Sequence, residues 1–484
     1  MTQPATRSPA QNIGFAIGLA AFGFALMTEP PAGMTVAAWQ TAGVMALMAV
    51  WWATEALPLA ATALLPLAIL PWIGAVPAAS LAGGYGNSTL FLILGGFLLA
   101  LAMERCNLHR RIAYTIVAWA GGHPQGLILG MMCATGFVSM WASNTSTALM
   151  MLPVALSVAS IVAPDESSSA LTQRNFSTAI VLCVSYGATI GGLATLVGTP
   201  TNALVVGFMQ ENYGETISFA QWLAFGLPTV LALMPIAWLV LVKIAFPFEL
   251  GSQAQAGAAV RRALADLGPM TVAERRVAVI FVLTASAWVF GPLLRMLPGF
   301  GGLNDTSVAL IAGVSLFLVR NGTAEGGALL AGPDIRRVPW DVLLLFGGGL
   351  ALAVAIQDSG LAQRIGESLS GLSALPLFLL VAAVVTLLIF WTELNSNVAS
   401  AATFMPILAA IAAGTHYPVL QLVAPAAIAA SCAFMLPVGT PPNAIVFASG
   451  RVSIREMMRS GIYLNLAGIV IVTTVANIVL PRIA

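Results

Sequence analysis

The chain has 484 residues, 59% of them hydrophobic and 8% charged, with a formal net charge of +1. Soluble domains carry about 25% charged residues, so this composition excludes one, and repeated apolar runs of the roughly 20 residues that cross a bilayer as a helix indicate an all-α polytopic membrane protein. Continuous rather than alternating apolar runs argue against a β-barrel, and the lack of a basic run with interleaved aromatics sets nucleic acid aside as a partner.

The polar start runs into an apolar stretch with no clear small-residue cleavage site, which predicts a retained first span near 12–28 rather than a signal peptide. Further spans are expected near 36–53, 57–76 and 88–104. The segment 108–120 begins basic and turns apolar, as a helix lying along the membrane surface does. Residues 124–163 are too long for one span and are interrupted by Trp141-Ala-Ser-Asn-Thr-Ser-Thr-Ala-Leu-Met-Met-Leu-Pro153. A re-entrant hairpin, two half-length helices meeting at a polar tip, accounts for both facts. Residues 175–209 read as a span broken at Gly198-Thr-Pro, and 218–246 as the next span.

From 247 to 272 the chain turns polar and forms the one sizeable linker. Beyond it the plan repeats: spans near 273–297, 303–320 and 338–357, a surface helix near 360–371, a hairpin over 374–416, a broken span over 420–449 and a last span near 460–481. The expected organisation is therefore a first span in 1–35, a first repeat in 36–246, a cytoplasmic linker in 247–272 and a second repeat in 273–484.

The repetition is visible in residues. The second hairpin carries Thr392-Glu-Leu-Asn-Ser-Asn-Val-Ala-Ser-Ala-Ala-Thr-Phe-Met-Pro406, and in both hairpins a Pro stands nine residues after the Ser-Asn pair. Val197-Gly-Thr-Pro-Thr-Asn202 returns as Val438-Gly-Thr-Pro-Pro-Asn443, and Phe91-Leu-Ile-Leu-Gly-Gly-Phe-Leu98 as Leu343-Leu-Leu-Phe-Gly-Gly-Gly-Leu350. Five spans and a hairpin per half is an odd number of crossings, so the second half is expected upside down relative to the first. With a cytoplasmic N-terminus, sixteen of the nineteen Lys and Arg residues fall on cytoplasmic loops, leaving Arg295, Arg364 and Arg482 outside. The first hairpin then opens from the cytoplasm and the second from outside.

Polar residues at each tip start a half-helix, whose free N–H groups and positive dipole end favour an anion. At the Gly-Thr-Pro breaks, proline frees carbonyl oxygens, which with Ser, Thr and Asn oxygens form hard ligands for a bare cation such as Na⁺. No charged side chain lies between Arg111 and Asp165 or between Arg174 and Glu211, and Glu393 alone lies between Glu367 and Arg451. A buried dianion would have no Lys or Arg to meet it, so co-bound cations are expected to supply the charge. The residues alone thus describe a cation-coupled anion carrier. Glu393 reads as a group that orients the tip or as a proton carrier, and the first repeat has Met140 in its place. The four cysteines are scattered, with no metal-ligand spacing, and His109, among Arg105, Arg110 and Arg111, reads as a surface residue. An intramembrane enzyme would need a nucleophile with a base or a metal cluster, and only Glu393 stands near a motif, so none is expected.

Ser143-Asn-Thr145, Ser396-Asn-Val398, Gly198-Thr-Pro-Thr-Asn202 and Cys432-Ala-Phe-Met-Leu-Pro-Val-Gly-Thr-Pro-Pro-Asn-Ala-Ile-Val-Phe447 resemble the divalent anion:sodium symporter family, most closely its sodium-coupled dicarboxylate branch. The resemblance covers the chain from about residue 40 to its end. It implies eleven transmembrane helices plus two hairpins, a homodimer in a bacterial inner (plasma) membrane with its C-terminus outside, and an elevator in which a transport domain slides against a scaffold. Carried over by position, one sodium site uses Ser139, Ser143, Asn144 and the Gly198 backbone, and the other Thr392, Asn395, Asn397 and the Gly439 backbone. Substrate carboxylates lie among Asn144, Thr145, Thr199 and Pro200 on one side and Asn397, Val398, Thr440 and Pro441 on the other. The family commonly has Thr at the position of Val398. The expectation is Na⁺-coupled import of C4-dicarboxylates such as succinate, malate or fumarate, with no organic cofactor. The alternatives are a sodium-independent dicarboxylate exchanger of the same fold and a carrier of sulfate or citrate.

Overall fold

A computed structural model describes residues 8–120, 123–162, 169–250, 254–323, 326–369, 371 and 374–483. Arg7, residue 163 at the expected end of the first hairpin, residues 251–253 of the linker and 372–373 between the second surface helix and the second hairpin lie outside them. Among the described residues the protein is helical, with an isolated bridge between Arg320 and Ala328 and no strand. Among the described residues, seven helical stretches are long and apolar enough to cross a membrane: Pro9–Met27, Val36–Thr54, Ala78–Arg105, Phe219–Ala245, Trp340–Asp358, Asn397–Thr415 and Ile454–Ile483.

Local sequence explains where several helices start. Ser8 and Gln11 form a capping box before Pro9–Met27, and Ser218 with Gln221 and Thr271 with Glu274 do the same for Phe219–Leu239 and Val272–Val289. The run 57–76 is not one continuous helix. It folds as Leu59–Thr62 and Leu65–Ile69, with Pro58, Pro66 and Pro71 each removing a helical N–H. Ala78–Tyr85 and Ser88–Arg105 follow. The linker differs too: it contains a helix, Ala254–Asp266, that packs on the surface helix Leu108–Trp119 and on Asn144–Val162.

Two sets of contacts position the tips. Pro124–Ser139 lies along Ala170–Gly192, where a Cβ on Gly191 would fall 2.2 Å from the Gly136 carbonyl oxygen, so glycine lets the two backbones touch. Leu377–Thr392 lies along Leu420–Ser431, and Ile454–Ile483 packs on both of these and on Phe219–Leu239.

Candidate functional site

Each polar phrase sits where one helix stops and another starts. Pro124–Ser139 ends just before the first tip, and Asn144 opens Asn144–Val162; Leu377–Thr392 ends before the second, and Asn397 opens Asn397–Thr415. The new helices thus begin on the Asn. The two serines before them behave differently. Ser143 Oγ accepts the Ser146 N–H at 3.1 Å and caps its helix, whereas Ser396 makes no side-chain cap.

The breaks lie directly behind the tips. Ala170–Gly192 gives way to residues 193–199 before Pro200–Tyr213, and Leu420–Ser431 gives way to 432–440 before Pro441–Ala448. Asn202 and Asn443 hold the unwound backbone in shape. Asn202 Nδ2 donates to the carbonyls of Gly192 (3.1 Å) and Thr195 (2.8 Å), and Asn443 Nδ2 to those of Ala433 (3.1 Å) and Leu436 (2.9 Å), ten and seven residues back in both cases. The sequence showed these asparagines as motif ends without a role; their shared offset from Gly-Thr-Pro was the available signal.

The tip asparagines reach into the breaks. Oriented to satisfy its surroundings, Asn144 Nδ2 donates to Ala188 O (3.2 Å), Gly198 O (3.2 Å) and Ser139 Oγ (2.7 Å). Asn397 Nδ2 likewise donates to Ala430 O (3.2 Å), Gly439 O (2.9 Å) and Thr392 Oγ1 (3.0 Å). The structure therefore gathers Ser139, Asn144 and Gly198 at one point and Thr392, Asn397 and Gly439 at another. Two expected ion ligands stand outside these clusters: Ser143, whose hydroxyl is engaged with Ser146, and Asn395. Asn395 Nδ2 turns back to Trp391 O at 3.2 Å, so its side chain points away from the second cluster. Gly192 makes room for the first tip, since a Cβ there would collide with the Asn144 side-chain amide.

One cavity of about 950 Å³ joins the two tips. Ser143, Asn144, Thr145, Gly198, Thr199 and Pro200 line it from the first repeat, and Asn395, Asn397, Val398, Gly439, Thr440 and Pro441 from the second. Ser139 and Thr392 are fully buried behind this wall. Away from the tips the cavity reaches Ser8, Glu55, Glu104, His109, Arg337 and Asp341. Among the described residues Arg337 is its one Lys or Arg side chain and is paired with Glu104. Burial lowers the His109 imidazole below its ordinary value, and its Nδ1 donates to Met103 O at 2.9 Å, so this ring is partly buried and brings no charge at neutral pH. Among the described residues, the cavity wall near the tips offers amides, hydroxyls and carbonyls, and no cation.

Glu393 stands beside the second break. Its carboxylate accepts the backbone N–H groups of Phe434 (2.8 Å), Met435 (2.9 Å) and Leu436 (2.9 Å) and the Asn465 side-chain amide (2.8 Å). In the first repeat the same link runs the other way: the Thr195 hydroxyl donates to the carbonyl of Met140, the counterpart of Glu393. The carboxylate is thus a clamp between tip and break, built from a different partner in each half. Trp141, before the first tip, packs against Phe219, Phe281 and Trp288, with ring centroids 5.9, 4.9 and 6.5 Å away.

Residues 10–481 match the family model described as the sodium:sulfate symporter transmembrane region. The chain is 38% identical over 481 residues to the sodium-dependent dicarboxylate transporter SdcS of Staphylococcus aureus (strain NCTC 8325 / PS 47), covering 98% of this chain and 92% of that protein. Its fold is similar to the YdaH transporter of Alcanivorax borkumensis, with a TM-score of 0.59 at 14% identity over 82% of this chain and 86% of the other. It is also similar to MtrF of Neisseria gonorrhoeae, with a TM-score of 0.58 at 12% identity over 82% of each chain. The chain belongs to the sodium:sulfate symporter family.

Proposed function

As a member of that family, we infer, this protein is a secondary active transporter that imports C4-dicarboxylates such as succinate, malate and fumarate together with Na⁺. The sodium-dependent dicarboxylate transport named for its Staphylococcus relative supports the pairing of ion and substrate. The observation that carries the mechanism is the matched surroundings of Asn144 and Asn397. Each tip amide faces three oxygens at 2.7–3.2 Å, a setting satisfied either by an N–H donor or by a cation. A Na⁺ ion among those oxygens would draw Oδ1 inward and turn Nδ2 out toward the cavity. The amide would then donate to a substrate carboxylate, and ion binding would prepare the substrate site. The ions also supply the positive charge that the cavity wall near the tips lacks.

On this reading Ser139, Ser143, Asn144 and Gly198 hold one ion, and Thr392, Asn397 and Gly439 the other, with Asn395 contributing its backbone carbonyl. Thr145, Thr199 and Pro200, with Val398, Thr440 and Pro441 opposite, flank the carboxylates. Eleven spans and two hairpins form two inverted repeats. The hairpins, broken helices, Phe219–Ala245 and Ile454–Ile483 make the moving body, which their mutual packing supports. The remaining spans make the scaffold of a homodimer in the plasma membrane. With the N-terminus cytoplasmic, Ser8, Glu104 and Arg337 lie on the cytoplasmic side, so the cavity opens inward.

The test is uptake of labelled succinate into proteoliposomes under an imposed sodium gradient. Uptake indifferent to sodium would remove the coupling, and stimulation by dicarboxylate on the opposite side in its place would identify an exchanger.

A further inference from the structure

The internal repeat provides its own control for substrate selectivity. Shifting the first tip by 253 positions lays Ser143 on Ser396, Asn144 on Asn397, Thr145 on Val398 and Ser146 on Ala399. The two asparagines make the same three contacts, so the half-sites share a frame. They differ in the residues that follow. Thr145 and Ser146 bring hydroxyls to the cavity, whereas Val398 brings a methyl of nearly the same shape and Ala399 is buried behind the wall.

The surroundings enlarge the difference. Leu394 and Val438 line the cavity on the second side and are each 69% exposed. Their counterparts present less surface: Trp141 lies in the aromatic stack, and Val197, though it lines the cavity, is 8% exposed. The first half-site therefore follows its asparagine with the hydroxyl-bearing Thr145 and Ser146, whereas the second, beside Ser396 and Thr440, adds an apolar wall of Leu394, Val398, Pro437 and Val438. A substrate hydroxyl facing that wall would lose its water and gain no partner, whereas a carbon substituent would lose nothing.

We propose that the cavity reads the two ends of its substrate differently, accepting C4-dicarboxylates with a polar substituent near one carboxylate only. The proposal rests on the dicarboxylate reading above. Malate can place its single hydroxyl beside Thr145. Tartrate, hydroxylated at both carbons, must turn one hydroxyl onto Val398. Methylsuccinate can set its methyl against the apolar wall.

Competition against sodium-driven uptake of labelled succinate tests this in wild-type proteoliposomes. Tartrate should half-inhibit at a concentration about tenfold or more above malate, consistent with the loss of one buried hydrogen bond, and methylsuccinate should compete as well as succinate. Val398→Thr, nearly isosteric, should bring the tartrate-to-malate ratio close to one, while Val398→Ala should leave tartrate rejected. Tartrate competing as well as malate in the wild type, or a ratio that Val398→Thr leaves unchanged, overturns the proposal while succinate transport stands. Absence of succinate uptake in the wild type would instead strike the dicarboxylate reading, and this proposal with it.

Discussion

Replacing Asn144 by Asp separates the two roles proposed for the tip amide. The inward atom faces Ala188 O and Gly198 O at 3.2 Å and Ser139 Oγ at 2.7 Å. Aspartate has no N–H to give them. In the absence of sodium, a carboxylate oxygen faces buried oxygens, and leaving such groups unpaired costs about 1–3 kcal/mol each. Sodium among them removes the conflict, so the rise in thermal unfolding temperature on adding sodium should be larger in Asn144→Asp than in the wild type. The cavity side responds in the opposite sense. One charge-assisted hydrogen bond to the substrate disappears, worth about 1.5–3 kcal/mol. A new negative charge roughly 4 Å from a substrate carboxylate adds about 4 kcal/mol of repulsion at an effective dielectric constant near 20. Together these weaken succinate binding by more than about a thousandfold, at roughly tenfold per 1.4 kcal/mol. Thermal-shift titrations in detergent, sodium first and succinate second, read both effects. A folded variant that sodium no longer stabilises, or that binds succinate like the wild type, would refute the reasoning.

Two further outcomes follow from contacts at the second tip and from the one cap the tips do not share. Glu393→Gln puts an NH₂ group against backbone donors that the carboxylate now satisfies at 2.8–2.9 Å, so the unfolding temperature should drop by a few degrees, from about 1–3 kcal/mol of lost stability. An unchanged unfolding temperature in a sodium-free thermal melt would show that the clamp is dispensable. Ser143→Ala removes a helix cap worth about 1 kcal/mol and should lower the same transition, whereas Ser396→Ala, which removes none, should not. Equal drops in the two variants would show that the tips are capped alike.

Much of the site was legible because the chemistry sits in short phrases that occur twice. Ser143-Asn144 and Gly198-Thr199-Pro200 mark a tip and a break wherever they fall in apolar sequence, and their recurrence fixes which tip belongs with which break. The contacts that tie the phrases together were not legible, since they link backbone atoms far apart in the chain. Nothing in the composition says that Glu393 will accept the N–H of Phe434, or that Thr195 serves the same link in the first repeat. The break within 57–76 escapes a reading by hydropathy, for the apolar run continues through prolines that cannot continue a helix. The linker helix was overlooked for a related reason. Its alanines, leucine and arginines are good helix formers, which its polarity conceals.

The aromatic stack at the first tip has an optical consequence. The Trp141 and Trp288 rings are nearly parallel, 3° apart in plane, with centroids separated by 6.5 Å. Trp141 rides on the first hairpin and Trp288 on Val272–Val289, which the proposed division places on the two sides of the sliding surface. Two indoles this close share their excited states, and their near-ultraviolet circular dichroism depends steeply on separation and angle. A translation of one helical turn, about 5.4 Å, would uncouple them. On the proposed division, the protein carries a native chromophore pair across its sliding interface, able to report the stroke without an added label.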